Sequence, residues 1–454
     1  MGSRMCRCIH QGANARSVNT RGWSGIISAM NAATEPGSAE TAAQPHSSQY
    51  DVRLHAAKHT GDYVFSQLIP YLGNKRKLLP LIAEAVSLTG ETSPTFADMF
   101  AGSGVVSRWA KRSGYRTVSN DWEPYCAPMG QCYIALDSAP VRGQELINTL
   151  NDLPGDSHNY LAQHYCPADD SAPRPNEERC FFTRANGARL GAMRDAIHEW
   201  DLRGDLSASL KAYLVAPLLY AASYVSNTSG VFKAYHHGWG GTTATALHRI
   251  LSDVRLVEPV LWDNGRANLG VCMNALDLAG NWHDIAGGPL DIAYLDPPYN
   301  QHPYGSNYHL LNTLALWDKP DVAAMQKGTK SAIRTDWRTI RRSAYNHAAG
   351  ALTALTGLVD ALPARWVVIS YSTDGNIPAH KLLAMLAERG ETHLLPQRYK
   401  RYRVSTPRMS PRPHTVEFVA ILNKDTTQHR HESFRAMSLD EMLVVIEREV
   451  AAPG

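Results

Sequence analysis

The chain has 454 residues, of which 44% are hydrophobic and 19% are charged, a composition ordinary for a globular protein with a sizeable core. Its formal net charge of +3 is too small to indicate nucleic-acid binding, so only local basic clusters carry that information. The cysteines, seven in all, lack Cys-x-x-Cys spacing, which favours neither a disulfide framework nor a zinc ribbon. We therefore predict a globular protein without a metal site.

Two stretches of the chain with unusual hydropathy lead to further predictions. The most apolar long stretch, residues 210–225, is too short to span a bilayer and contains Pro217, so we predict a buried helix and no membrane association. Residues 1–61 are rich in small and polar residues with little apolar periodicity, which predicts a disordered leader. Its first thirty residues carry four arginines and no acid, as transit peptides do, but we favour Met30 as the native start.

Ordered structure is predicted to begin near Tyr63. Apolar residues at helical spacing predict an amphipathic helix over residues 77–87. The predicted elements that follow are a strand at 95–100, a glycine loop at 101–104, a helix at 105–113 and a strand at 116–119 that ends at Asn120 and Asp121. This order is a βαβ unit with glycines at its first turn.

The pattern changes to mostly helical segments between residues 122 and 268. Strand patterns return at residues 269–273, 292–295, 366–370 and 415–422. We therefore predict an α/β fold with a doubly wound, Rossmann-like sheet, interrupted by an inserted helical region. The predicted boundaries are a discontinuous α/β domain at 62–125 and 269–425, an insertion at 126–268 and a C-terminal helical tail at 426–454.

The glycine loop is a candidate cofactor site. Gly102 and Gly104 let backbone pass close to a small molecule at a helix N-terminus, although a close-packed turn explains them equally well. Asp98 and Phe100 precede them, and Asp121 ends the next strand, where an acid accepts hydrogen bonds from ribose hydroxyls. The combination favours a cofactor that contains a nucleoside.

A second candidate site is the turn Asp296-Pro297-Pro298-Tyr299, which follows an apolar strand pattern. The prolines force the chain out of the sheet and leave a carboxylate and a ring fixed at its carboxyl edge. Asp296 can accept hydrogen bonds from an amino group, and Tyr299 offers a face for a planar base. The pattern favours chemistry on a nucleobase amine, with a structural turn acid as the alternative.

Two further segments contain candidate site residues. Asp277 is predicted to end a strand and to accept a hydrogen bond from an adenine amine, with a turn aspartate or helix cap as an equal alternative. The segment from Tyr71 through Lys75 to Lys77 places an aromatic ring, a glycine and basic residues before the first helix.

These segments, in this order, resemble the Dam-like, class alpha family of DNA adenine-N6 methyltransferases over residues 65–424. The stretch DPPYNQHPYGS at 296–306 resembles the modification enzymes of type IIS restriction systems. Asn74 departs from the pattern, since many relatives have glycine there. The resemblance implies that S-adenosylmethionine is contacted by Tyr71, Lys75, Asp98, Phe100, Gly102, Gly104, Asp121, Asp277 and Asp296.

The resemblance also implies a mechanism on double-stranded DNA. An adenine would be extruded from the duplex and stacked on Tyr299. Asp296 and the carbonyl of Pro297 would accept the two amine hydrogens, and the methyl group would move by direct displacement. We expect a bacterial-type cytoplasmic enzyme acting on nucleoid DNA, with a restriction endonuclease as a separate chain.

Predicted DNA contacts come from two basic clusters and one loop. The residues are Arg338 and Arg341 in the first cluster, Arg398, Lys400, Arg401 and Arg403 in the second, and Lys233 and His236 in the loop at 226–241. Phosphate binding suits these side chains, while a solvated charged face and a structural glycine loop are the alternatives. The rival functions are a methyltransferase acting on base amines of ribosomal RNA and a DNA-binding relative that no longer catalyses.

Overall fold

The computed structural model describes residues 62–241, 244, 246–322, 333–400, 414–427 and 431–451. The predicted leader, Arg401, Arg403 and the side chain of Lys400 lie outside the described residues.

A seven-stranded sheet forms the centre of the α/β fold, in the order β3-β2-β1-β4-β5-β7-β6. Pairing is parallel from β3 to β5, whereas β7 runs antiparallel to both β5 and β6. This arrangement confirms the predicted doubly wound fold. The strands are β1 (Thr95–Asp98), β2 (Arg116–Asn120), β3 (Leu269–Val271), β4 (Leu290–Leu295), β5 (Ala364–Ser372), β6 (Glu391–Lys400) and β7 (His414–Asn423).

Six of these strands match sequence predictions, but β6 was missed. Its sequence contains Pro396 and several polar residues, which do not read as a buried strand. The sheet tolerates them because β6 is the edge strand and pairs only with β7. Proline in a sheet is tolerated at an edge, where its missing N–H leaves no ladder bond unmade.

The strand order reverses between β1 and β4. β1 pairs with β2 on one side and with β4 on the other, with Asp98 opposite Tyr294. Ligands of open α/β sheets bind outside the carboxyl ends of the strands at such a point. The loops that follow β1 and β4 carry the two predicted site motifs.

Helices cover both faces of the sheet and build the inserted region. Their bounds are α1 (Leu79–Ser87), α2 (Val105–Arg112), α3 (Cys126–Gly130), α4 (Gly143–Asp152), α5 (Tyr160–Tyr165), α6 (Arg184–Leu202), α7 (Ala208–Val225), α8 (Leu247–Ile250), α9 (Ala275–Gly280), α10 (Trp282–Ile285), α11 (Tyr304–Asn307), α12 (His309–Leu316), α13 (Ala348–Ala361), α14 (Ala379–Ala387) and α15 (Leu439–Ala451). A π-helical turn, Gln131–Ala135, extends α3, and short 3-10 turns occur at Asp336–Arg338 and Ala344–Asn346.

The sheet is buried on both faces because successive residues point to opposite sides. Phe96, Ile292 and Trp366 belong to the core on one face. Their neighbours Ala97 and Ala293 belong to the core on the other face.

A separate hydrophobic core surrounds α7, and the inserted region builds it together with α12. Ser207 caps this helix by accepting a hydrogen bond from Leu210 N, and Pro217 lies inside it. By length and composition α7 is the one helix of the described residues able to cross a membrane, yet 72% of its apolar window is buried in the protein. The predicted buried helix is therefore confirmed.

Candidate active site

The glycine loop follows β1 and passes over the end of β2. Ala101 N donates to Asn120 O, and Gly104 N donates to Ala101 O. Gly102 has a φ of +52°, and a Cβ there would lie 2.7 Å from Tyr71 Cε1. Only glycine therefore fits beneath the Tyr71 ring without displacing it.

Asp121 fixes this loop from the end of β2. Its Oδ2 accepts a 2.8 Å hydrogen bond from Gly102 N, and its Oδ1 accepts a 2.9 Å bond from Glu123 N. Burial raises the pKa of Asp121, and these backbone N–H groups oppose the rise. A carboxylate offers about four acceptor positions, so a group such as a hydroxyl can be a further donor to Asp121.

Asp98, at the end of β1, is 1% exposed. Its Oδ2 accepts a 2.7 Å hydrogen bond from the Ser107 hydroxyl, while its Oδ1 is buried without a well-formed bond to the described residues. Burial raises the pKa of Asp98 to about 7, against the lowering effect of Ser107. A cationic ligand group is the natural complement of such a carboxylate.

The raised pKa of Asp98 predicts a pH dependence of stability. A carboxyl group whose pKa is higher in the folded than in the unfolded state stabilises the fold while it is protonated. This contribution is complete below the unfolded pKa of about 3.9 and is lost as the pH rises through the folded pKa of about 7. We expect the melting temperature of Asp98→Asn, relative to the unsubstituted protein, to rise between pH 5 and pH 8. Thermal unfolding across this range tests it, and a pH-independent offset contradicts it.

The turn after β4 brings together three of the predicted side chains. Asp296 Oδ1 lies 2.8 Å from Lys75 Nζ, and Lys75 Nζ lies 5.3 Å from the centre of the Tyr299 ring. Lys75 also donates to Gly73 O at 3.2 Å. The residues before α1 and the turn after β4 therefore meet in one ion-paired cluster.

Burial and charge act in opposite directions on this pair. Burial raises the pKa of Asp296, and the Lys75 ammonium lowers it. Burial lowers the pKa of Lys75, but Asp296 together with Tyr299 and Glu417 reverses this, so the net shift is upward. Lys75 thus helps to keep Asp296 ionised in a buried place.

Glu417 is a member of this cluster that the sequence analysis missed. It lies on β7 opposite Ser372, and its Oε2 is buried without a hydrogen-bond partner among the described residues. Burial raises the pKa of Glu417, and Lys75 lowers it. The signal was an acid within an otherwise apolar strand pattern, a position where Glu is rare.

Aromatic rings hold the surrounding segments. Tyr71 stacks on Tyr308 with ring centres 5.1 Å apart and planes at 5°, and on Tyr304 at 5.1 Å and 18°. Leu72 N donates a hydrogen bond to the Tyr308 hydroxyl. This bond holds the segment before α1 in place. Tyr299 packs edge-on against Tyr371, with ring centres 5.8 Å apart.

The departure at Asn74 is accommodated by a local turn. Asn74 N and its side-chain Nδ2 both donate to Tyr71 O, at 3.3 and 3.1 Å. Gly73 supplies the positive φ of +74° that this turn needs.

Phe100 and the 3-10 turn at Ala344–Asn346 meet over the loop. The Phe100 ring lies edge-on to Tyr345 at 5.3 Å, and Asn346 Nδ2 donates to Asn300 O at 2.7 Å. This turn therefore links the loop after β1 to the residues that follow Tyr299.

The predicted strand ending at Asp277 is wrong. Strand β3 ends at Val271, and Asp277 is an exposed residue in the first turn of α9. Asn274 caps that helix by accepting a hydrogen bond from Leu276 N. A short polar residue before a helical turn competes with strand formation, which explains the error. A cofactor contact by Asp277 stays a prediction.

Two of the predicted DNA-binding residues, Arg341 and Arg398, have partners within the protein. Arg341 Nη2 pairs with Asp336 Oδ2 at 3.2 Å, and its Nη1 lies 3.9 Å from Glu123 Oε2. Arg398 Nε donates to Glu449 O at 2.9 Å. Both guanidinium groups therefore already have partners within the protein. A DNA phosphate would have to bind them alongside these partners.

Arg338 and Lys233 are exposed, and His236 is half-buried. The loop at 226–241 is held by Asn227, whose Nδ2 donates to His236 O and Gly238 O at 3.2 and 3.3 Å. Phosphate contacts by these residues remain predictions.

Comparison with known proteins bears directly on this geometry. The type II methyltransferase M.NlaIII of Neisseria lactamica is 29% identical over 362 residues, which cover 78% of this chain and 99% of that protein. The type II methyltransferase M.FokI of Planomicrobium okeanokoites is 26% identical over 390 residues, 84% of this chain and 53% of that protein. The modification methylase LlaI of Lactococcus lactis subsp. lactis is 26% identical over 362 residues, 78% of this chain and 54% of that protein.

The chain thus spans nearly all of M.NlaIII and about half of the other two relatives. The profile of the D12 class N6 adenine-specific DNA methyltransferases matches residues 71–256 and 283–336, more than half of the chain. The match includes the segment before α1, the glycine loop and the turn at Asp296. The predicted adenine methyltransferase resemblance is confirmed, and this chain belongs to the D12 class of N6 adenine-specific DNA methyltransferases.

Proposed function

We propose that this enzyme transfers the methyl group of S-adenosylmethionine to the N6 amine of an adenine flipped out of double-stranded DNA. The observation that carries the proposal is the buried Lys75–Asp296 pair beside Tyr299, at the carboxyl edge where the strand order reverses. In this arrangement an anionic acceptor and an aromatic face stand next to the glycine loop.

The residues at the loop suit S-adenosylmethionine. Asp98 and Asp121 offer buried carboxylates, one with an unsatisfied oxygen, to the hydroxyls and positive charge of that molecule. Gly102 lets the loop pass directly beneath the Tyr71 ring, because it has no Cβ that would clash with that ring. When bound, the cofactor supplies an electrophilic methyl group on a sulfonium. We assign cofactor contacts to Tyr71, Lys75, Asp98, Phe100, Gly102, Gly104, Asp121, Asp277 and Asp296.

The chain's own contribution to the reaction is to hold and polarise the amine. Asp296 and the Pro297 carbonyl accept the two N6 hydrogens, which directs the nitrogen lone pair away from the ring and toward the methyl group. Tyr299 stacks on the flipped base, and base stacking of this kind stabilises binding by about 1 to 3 kcal/mol per base. Holding the reacting atoms in line is an orientation effect.

The glycine loop gives a first test of the cofactor site. Gly102→Ala adds a Cβ at 2.7 Å from Tyr71 Cε1, with a φ that alanine rarely adopts, so we expect affinity for S-adenosylmethionine to fall about tenfold or more. Gly114→Ala is the matched control, because its φ of +86° is also unfavourable, its Cβ would meet no atom within 4 Å, and it is not among the residues assigned to the cofactor. Calorimetric titration checks this, and equal losses in both variants contradict the Tyr71 contact.

The role in a restriction-modification system is part of the proposal. Two relatives named modification methylases, LlaI and StsI, match 78% and 70% of this chain, which favours protection of DNA from a separate restriction endonuclease over a solitary role. We propose that residues 126–268, most of the segments that pack around α7, recognise the target sequence. Action in the bacterial cytoplasm follows from this role.

Neither rival function is favoured. The matching family acts on DNA adenine, which speaks against ribosomal RNA as the substrate. The intact pair of Lys75 and Asp296 beside Tyr299 speaks against a relative that only binds DNA.

The substrate is tested by incubating the protein with labelled S-adenosylmethionine and either unmethylated DNA or ribosomal RNA. Digestion to nucleosides should place the label in N6-methyladenine from DNA. Label found only in RNA, or in another nucleoside, would contradict the proposal.

A further inference from the structure

A groove of about 510 Å³ lies beside the segment at residues 70–76, outside the active-site cluster. One wall is formed by Phe65, Pro70 and Arg76, and the other by Tyr220, Tyr224 and Arg249 near the end of α7. We call it the outer groove. None of these six residues was predicted to bind DNA, although Ser229, which also lines the groove, belongs to the loop at 226–241 that was.

The outer groove is positively charged. None of its lining residues is acidic. Arg76 is exposed and forms no ion pair with the described part of the chain. Arg249 Nη1 donates to the carbonyls of Ser223 and Tyr224, where it offsets the negative end of the α7 dipole. An anion in the groove thus meets two guanidinium groups and no carboxylate.

Aromatic and hydroxyl groups complete the lining. Tyr224 is 42% exposed, and its ring centre lies 6.3 Å from that of Tyr220. Ser229, which is exposed, adds a hydroxyl to the lining. Cations, hydroxyl donors and aromatic faces along one groove are the combination that binds a nucleic-acid strand by its phosphates and bases.

The segment at 70–76 is a wall shared by the outer groove and the active site. Tyr71 and Lys75 face the site, where they contact Tyr308 and Asp296. Pro70 and Arg76 are their chain neighbours and face the groove. Adjacent Cα atoms are about 3.8 Å apart, so the residues that face the groove directly adjoin, along the chain, those that face the site.

We propose that the outer groove holds the sugar–phosphate backbone of the DNA strand that carries the target adenine, with Arg76 as its main phosphate ligand. This inference rests on the proposed function. It adds a phosphate site next to the flipped nucleotide, which would anchor the strand while the base leaves the stack.

The test compares Arg76→Ala, Arg76→Lys and a control, Arg203→Ala, with the unsubstituted protein. Arg203 is an exposed arginine paired with Asp205, and it lies just before the start of α7. The 18 residues of α7 separate it from the groove by roughly 27 Å at the usual helical rise. Binding to a fluorescent duplex is measured at several salt concentrations, together with KM for unmethylated DNA and affinity for S-adenosylmethionine.

We expect Arg76→Ala to raise KM for DNA about tenfold and to reduce the slope of log K against log salt by about 1, the value for one phosphate contact. Arg76→Lys should retain the salt slope because it keeps the charge, and Arg203→Ala should behave like the unsubstituted protein. Cofactor affinity should stay within about twofold in all three.

Two results overturn the inference in different ways. If the unsubstituted protein methylates DNA and Arg76→Ala keeps its KM and salt slope, the outer groove does not bind the backbone, while the proposed function stands. If the unsubstituted protein methylates no DNA, the proposed function fails and the inference fails with it.

Discussion

Asp296→Asn is expected to lower kcat for DNA methylation by about 10³-fold, the usual size of the loss when one preorganised group that polarises the reacting atoms is removed. In the structure Asp296 is a buried carboxylate beside Lys75 and close to the Tyr299 ring. The asparagine keeps the shape of the side chain. Its neutral oxygen, however, polarises an amine more weakly, and its NH₂ group cannot accept a hydrogen bond. Affinity for DNA should change much less than kcat.

Folding must be separated from catalysis in this experiment. Removing one partner of a buried ion pair costs about 3 to 5 kcal/mol, because the other charge is left unpaired. The double variant Asp296→Asn with Lys75→Met removes both charges and should recover part of this stability without recovering activity. Asp205→Ala, at an exposed aspartate, is the control for both measurements. Activity of Asp296→Asn within tenfold of the unsubstituted enzyme would contradict the role of this carboxylate.

Lys75→Met is expected to have the second largest effect on kcat. As the pH rises, the activity of this variant should increase, whereas its stability relative to the unsubstituted protein should decrease. Lys75 lowers the pKa of Asp296 against the effect of burial, so its loss raises that pKa further. The reactive carboxylate then exists only at higher pH, and the acid limb of the pH–kcat profile should move upward. Activity lost at pH 7, about 10²-fold by analogy with other acid–base groups, should recover in part by pH 9.

Stability of Lys75→Met should change in the other direction. A carboxyl with a raised folded-state pKa destabilises the fold increasingly as pH rises from its unfolded value through the folded one. The melting temperature should therefore fall further behind that of the unsubstituted protein as pH rises from 5 to 8. Lys77→Met, two residues along and exposed, is the matched control. A pH profile of kcat that does not shift would show that Lys75 does not control the ionisation of Asp296.

The two sheet-edge motifs were predictable because their signals are local. In the turn at Asp296 the prolines and the preceding apolar strand already fix the carboxylate at the end of β4. The glycine loop likewise follows from a short strand and a helix that begins at Val105. Each of these elements needs only its immediate neighbours in the chain to be recognised.

Other features depend on contacts between distant parts of the chain. Glu417 reaches the Lys75 cluster only because β7 inserts antiparallel between β5 and β6, a pairing that no local pattern indicates. The contact of Arg341 with Glu123 joins residues far apart in sequence, so the cluster of basic residues did not indicate it. The strand predicted to end at Asp277 was wrong because the cap at Asn274, not the apolar residues around it, decides that α9 begins there.

Long-read sequencing of DNA from a host that lacks adenine methylation and expresses this protein tests the proposed methylation of adenine. N6-methyladenine is expected at nearly every copy of one short sequence, and at few of them when Asp296→Asn is expressed instead. The absence of modified adenine with the unsubstituted protein, or equal modification with the variant, would contradict it.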